Sequence, residues 1–155
     1  MSTDSEKYFW FLGSLTTIRL SAQTGTDQVS VVEQRASKGY SPLLHLHRNQ
    51  DELFHVLEGE FRIKVGDEEQ RLKADDMLLI PKGAHHTFII ESTEGGRWLD
   101  ITVGTDYENF VRALARPAEQ LDVPPTGEDR SPENLLANTM TAAQFGIDIV
   151  GPSLE

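Results

Sequence analysis

Four side chains in this sequence have the types and the spacing to hold a metal ion: His45, His47, Glu52 and His86. His45 and His47 stand two apart in a strand-like run, so their side chains leave the same face of a sheet. Glu52 opens the next such run, and His86 lies on a separate one, just after the turn Pro81-Lys82-Gly83. A barrel closing on itself can turn all four side chains inward, and three imidazoles with one carboxylate make a mononuclear divalent-metal site. Taken by itself, a His-x-His pair on a strand is more often a surface pair, so the positions alone leave both readings open.

The elements that must position these residues are short. From Tyr8 to about Gly104 the chain reads as β-rich runs over 9–12, 15–21, 28–34, 43–47, 52–58, 60–65, 69–72, 77–80, 86–92 and 98–103. Gly- and Pro-containing turns separate them, with Gly59 alone making a tight hairpin. Such spacing suggests an all-β sandwich or barrel rather than βαβ units. After Gly104 the pattern changes. Tyr107, Phe110, Val111 and Leu114 recur at helical spacing before Pro117, and residues 117–131 read as an extended surface loop. Ser131-Pro132-Glu133 then opens a second helix, expected to carry Leu135, Leu136, Met140 and Ala143 and to stop at Gly146. The expectation is one domain over residues 1–155: a barrel over about 8–104 and a helical C-terminal extension over 105–155, with a frayed polar start at residues 1–7.

Composition narrows the function classes. The chain has 155 residues, 14 Lys and Arg against 25 Asp and Glu, a formal charge of −11 and no Cys. Thiolate metal ligands, iron–sulfur clusters, disulfides and a cysteine nucleophile are therefore excluded. No basic footprint exists for nucleic acid or an anionic membrane, and no apolar run approaches the ~20 residues of a membrane helix. The start lacks the pattern of a secretory signal, so a cytoplasmic location is expected.

A longer pattern gives the four residues their context. Residues 39–59 run Gly39, five residues, His45-Leu46-His47, four residues, Glu52, six residues, Gly59. A second segment, Ile80-Pro81-Lys82-Gly83-Ala84-His85-His86, follows. The chain resembles a single-domain cupin over roughly residues 28–103, the first motif matching spacing for spacing and the second at Pro81, Gly83 and His86. Two positions depart from the family pattern: Asp75 stands where the second motif opens with glycine, and Ile90 where it closes with asparagine. The resemblance implies a double-stranded β-helix (a jelly-roll barrel), and one divalent metal ion held by His45, His47, Glu52 and His86. Fe, Mn, Ni, Co, Cu and Zn all accept imidazole, so the metal is left open. Binding should weaken as pH falls toward 6, because the rings must be neutral.

Within the family the chain looks most similar to small quercetin 2,3-dioxygenase-like cupins, through Trp10-Phe11-Leu12-Gly13, the stretch 51–59 and the stretch 145–152. That resemblance implies an oxidoreductase in which Glu52 is both ligand and catalytic base toward an enol, with dioxygen cleaving the substrate. Strand parity puts Leu43, Phe88 and Ile90 on the metal side, which favours a small hydrophobic or aromatic molecule. The same parity turns His55 and His85 away. A redox-inert metal cupin, such as an isomerase or polyketide cyclase, and a non-catalytic small-molecule-binding module remain the alternatives. The apolar run Tyr8–Leu12 is expected to cover the barrel mouth or to pair with a second subunit in a homodimer.

Overall fold

The computed structural model describes residues 7–155; the expected frayed start falls almost wholly on residues 1–6, outside the described residues. The ten expected runs all form strands: β1 (Phe9–Phe11), β2 (Ser14–Leu20), β3 (Val29–Ala36), β4 (Leu44–His47), β5 (Glu52–Glu58), β6 (Phe61–Val65), β7 (Glu68–Leu72), β8 (Met77–Ile80), β9 (His86–Ile90) and β10 (Gly96–Val103). Two helices follow, α1 (Asp106–Leu114) and α2 (Pro132–Gln144). Two further strands, β11 (Arg116–Pro117) and β12 (Ile147–Gly151), complete the chain.

The strands form two antiparallel sheets facing each other, a double-stranded β-helix. The larger is ordered β11-β1-β2-β3-β10-β5-β8, the smaller β12-β4-β9-β6-β7. Alternation along each strand fills the space between them: Phe54 and Val56 of β5, Phe61 and Ile63 of β6, Phe88 and Ile90 of β9 and Trp98 of β10 are all buried. Phe88 meets Phe54 and Trp98 with ring centroids 5.1 Å apart in both pairs, the latter edge to face. Such pairs add about 0.5–1.5 kcal/mol each beyond the area they bury. The β5–β6 hairpin depends on Gly59, whose φ of +93° is open to glycine; a Cβ there would lie 2.5 Å from the Gly95 carbonyl oxygen.

The C-terminal extension departs from the sequence reading. It is not helical throughout, for β11 lies beside β1 and β12 beside β4, so both sheets are finished by residues beyond 104. The residues expected in the second helix all lie in α2, but not all on its inward face. Leu136 and Met140 are exposed, at 63% and 60%, whereas Ala142 is fully buried and Leu135 half-buried. Ser131 caps α2 through the Asn134 N–H, and Gly146 follows its end at φ +74°, as expected. Together α1, α2 and β12 close one end of the barrel, where Phe11, Val32, Phe110, Val111, Ala142 and Ile147 form a second core.

Candidate metal centre

All four sequence-derived residues meet at the closed end. β4 and β9 are neighbours in the small sheet, and His45 stands directly opposite His86. The ring centroids of His45 and His86 are 4.3 Å apart, those of His45 and His47 5.3 Å, and those of His47 and His86 5.4 Å. One nitrogen from each ring lies within 4.8 Å of the other two. Glu52 reaches this group from β5 of the opposite sheet, its Oε2 3.1 Å from His86 Nε2 and 3.3 Å from His47 Nε2. Tyr107 of α1 lies over the outer side of the His47 ring, with centroids 5.6 Å apart and planes at 20°.

Backbone carbonyls set two of the three tautomers. His45 Nδ1 lies 2.7 Å from the Leu43 carbonyl oxygen and His86 Nδ1 lies 2.9 Å from that of Ala84. A carbonyl only accepts, so both Nδ1 atoms donate and each neutral ring presents a bare Nε2. At His86 that bare nitrogen faces the Glu52 carboxylate, and two acceptors in contact repel unless a cation or a proton lies between them. Burial disfavours charge on His86, but the hydrogen bond and negative charge of Glu52 outweigh it and hold the ring above the ordinary imidazole range. His45 and His47 go the other way: burial lowers both, His45 far more strongly. Three imidazoles and an ionised carboxylate converging in a buried place fit a divalent cation, which would take the place of the proton that Glu52 favours on His86.

Sequence reasoning missed the groups behind Glu52. Asp100 of β10 is buried, and its Oδ2 accepts from Gln34 Nε2 at 2.6 Å, Trp98 Nε1 at 3.2 Å and Tyr107 Oη at 3.2 Å. Its Oδ1 is buried with no donor from the protein. Burial, then the charge of Glu52 and a hydrogen bond to it, push the Asp100 carboxyl well above the usual carboxylate range. Glu52 is driven down, since the Asp100 hydrogen bond and the two histidines overcome its own burial. One proton shared between two carboxyl groups, resting on Asp100, accounts for both directions. The signal in the sequence was an acid at an inward position of β10, between Trp98 and Thr102.

The site opens into a cavity of about 90 Å³. Its apolar wall includes Phe11, Leu43, Phe88, Phe110, Leu135 and Ile149, while Glu128, Asn138 and Thr139 add polar groups. Asn138 Nδ2 is buried there without a partner. Leu43 and Phe88 face the cavity as expected. Ile90 does not: it lies deeper in the core, opposite Phe61. His55 is half-buried on the outer face of the large sheet and His85 is exposed, so neither joins the site. The aromatic run at the N-terminus lies within the fold itself. Phe11 lines the cavity, and Trp10 is buried against Leu15 and Ala118.

Comparison with known proteins agrees with this architecture. Residues 32–102 match the family model of the cupin domain. The protein YdbB of Bacillus subtilis (strain 168) is 58% identical over 43 residues, 27% of this chain and 38% of that protein. The quercetin 2,3-dioxygenase of the same organism is 22% identical over 144 residues, 93% of this chain and 42% of that protein. The chain thus spans less than half the length of these two curated relatives. Among solved structures, a predicted oxalate decarboxylase from Thermotoga maritima superposes with a TM-score of 0.59 at 17% identity, covering 66% of this chain and 97% of that one. KdgF from Halomonas sp. superposes with a TM-score of 0.56 at 18% identity, covering 65% and 89%. At those identities the likeness is one of fold. No helix among the described residues is long and apolar enough to cross a membrane. The two metal-type motifs fall within or beside one stretch of sequence, residues 32–102, and it is this stretch that matches the cupin domain model.

Proposed function

We propose that this chain is a metal-dependent dioxygenase acting on a small, largely apolar, enolisable molecule. The observation that carries the reading is the convergence of His45, His47, His86 and Glu52 at the end of a cavity walled by aromatic and aliphatic side chains. A redox-active divalent ion held by these four residues would supply a Lewis acid for a substrate oxygen and a route for electrons to dioxygen. Glu52 is ionised at neutral pH and can accept the proton of a substrate enol, and Asp100 behind it holds the carboxylate in place by hydrogen bonding. Phe11, Phe88 and Phe110 give the cavity an apolar wall, and Asn138 Nδ2 offers a donor to a ligand in it.

The likeness to the Bacillus subtilis quercetin 2,3-dioxygenase supports the reaction class. The cavity argues for a smaller substrate. Its volume of about 90 Å³ is below the ~150 Å³ of an apolar cavity that takes up benzene, so a three-ring flavonol requires α2 to move aside. A β-diketone such as acetylacetone, or a single-ring enol, suits the space better. Metal analysis of protein purified without added metal, followed by oxygen uptake with β-diketones and quercetin, tests the reading. The Glu52→Gln variant should keep much of its metal and lose ~10²–10⁴-fold in turnover, the size of a general-base contribution. No oxygen uptake from protein reloaded in turn with Fe, Mn, Ni, Co and Cu overturns the dioxygenase reading.

A further inference from the structure

The outer face of the large sheet carries an apolar row that the described residues leave partly open to solvent. Leu79 of β8 stands opposite Leu53 of β5, Leu53 opposite Ile101 of β10, Ile101 opposite Val31 of β3, and Val31 opposite Leu20 of β2. Five neighbouring strands thus each contribute one aliphatic side chain to a single line across the sheet. Its ends are open to solvent, Leu79 at 56% and Leu20 at 39%. The row is not isolated. The next outward position pairs Val103 with Val29, at 62% and 37% exposure, and Met77 on the other flank is 53% exposed. Scattered exposed aliphatics need no explanation, but a contiguous patch in cross-strand register marks an interaction surface.

Beyond this patch the same face carries a ladder of ion pairs. Glu33 bonds Arg19 and Arg97 at 3.2 Å each, and Glu58 bonds Arg97 at 3.0 Å and Arg35 at 3.9 Å. Those three arginines and two glutamates are the charged residues that β2, β3, β5, β8 and β10 turn outward, so the face is net positive by one. The chain as a whole has a formal charge of −11. Two copies approaching elsewhere on this acidic chain bring together far more like charge than they do by this nearly neutral face.

We propose that this face is where two copies of the chain pair, sheet against sheet. The occupant follows from the symmetry of the row as well as its charge. β10 lies at the centre of the five strands, so a two-fold axis along it sets Ile101 against itself, Leu53 against Val31 and Leu79 against Leu20 of the second copy. Aligned sheets pack in this manner at about −30°, ~10 Å apart. The area is also of the right order. With strands ~4.8 Å apart and same-face residues ~6.7 Å apart along a strand, the apolar patch and its ladder cover roughly 25 by 30 Å. That is close to the ~800 Å² per partner of a stable interface. The N-terminal run, the sequence's first choice for subunit pairing, lies within the fold, with Trp10 5% and Phe11 3% exposed. The pairing leaves the mouth of the metal site, on the inner side of the barrel, unobstructed.

Sedimentation equilibrium of the intact chain between 1 and 100 μM tests the proposal. The expected particle has twice the 17.3 kDa chain mass. Ile101→Lys places a charge at the centre on both copies and should raise the dimer dissociation constant at least ~100-fold, a hot-spot effect counted twice. Should that variant misfold by circular dichroism, the double variant Leu20→Lys with Leu79→Lys does the same from positions already open to water. Leu136→Lys, on the exposed face of α2, should leave the dimer intact. A wild-type chain that stays monomeric at 100 μM overturns the proposal, as does a dimer that survives the two-lysine variant.

Discussion

Replacement of Asp100 by asparagine puts the shared proton to a direct test. Asp100 Oδ2 accepts from Gln34, Trp98 and Tyr107, while its other oxygen is buried without a donor. If the proton rests on Asp100, an asparagine is nearly equivalent: its carbonyl keeps the three donors and its amide donates to Glu52. The Asp100→Asn chain should then lose less than about 1 kcal/mol. Asp100→Leu, of the same branched outline but bulkier, strands three buried donors and the Glu52 acceptor. At about 1–3 kcal/mol for each unpaired group, allowing that they share partners and partly relax, the loss should be at least about 4 kcal/mol. Urea unfolding at pH 7 measures both. Metal titration adds a second readout, because removing a partner of a ligand usually costs 10–100-fold in affinity: the Leu variant should show that loss and the Asn variant should not. An Asn variant as unstable as the Leu variant would falsify the shared proton, for it would mean that Asp100 needs its charge.

Three further outcomes are expected. Replacing both His45 and His47 with Ala should abolish metal uptake measured by mass spectrometry of the metal content, and retention of full occupancy would remove the site assignment. Asp75 holds a φ of +76° where the family pattern has glycine; relief of the left-handed penalty, ~1 kcal/mol, set against the extra freedom of an unfolded glycine, ~0.5 kcal/mol, should make Asp75→Gly slightly more stable. A lower urea midpoint for that variant would contradict the strain. Buried Glu108 accepts from the Ala22 N–H and the Ser21 hydroxyl at 2.7 Å each and from Arg112 at 3.0 Å. Burial raises its carboxyl, but these bonds outweigh it, leaving the group below its ordinary value of 4.5. A folded value below the unfolded one stabilises above about pH 4.5 and loses that stability as pH falls through the folded value. Glu108→Gln should therefore be less stable at pH 7 and show a flatter acid limb, and parallel pH profiles would argue against it.

How much of this could be read from residues alone depended on how local the rule was. The strand parity of His45 and His47 is a two-residue rule, and β4 obeys it; β5 and β8 begin and end where the residue pattern put them. The departure at Asp75 was visible as a missing glycine, and the backbone there does take the left-handed conformation. Asp100 and the Gln34 and Tyr107 that donate to it come from three other elements, and no spacing links positions so far apart in sequence. β12 did carry a local signal, with Ile147 and Ile149 inward and Asp148 and Val150 outward. A period of two over five residues after a helix is weak, and only pairing with β4 makes it a strand.

The face of α2 shows a different kind of limit. Leu136 and Met140, four apart, look like the start of a buried stripe, yet both point to water. The buried side is Leu135, Asn138, Thr139 and Ala142, two of them polar. A stripe search assumes that the inward face packs against apolar core, and here Leu135, Asn138 and Thr139 border a cavity instead. Against a cavity a helix need not be apolar. Its polar residues can lie inward at little cost if a ligand or water completes their hydrogen bonds. The buried, unpaired Asn138 amide is that situation in one atom, and it is why a helix with an unconvincing apolar face is, in this fold, the wall of a cavity.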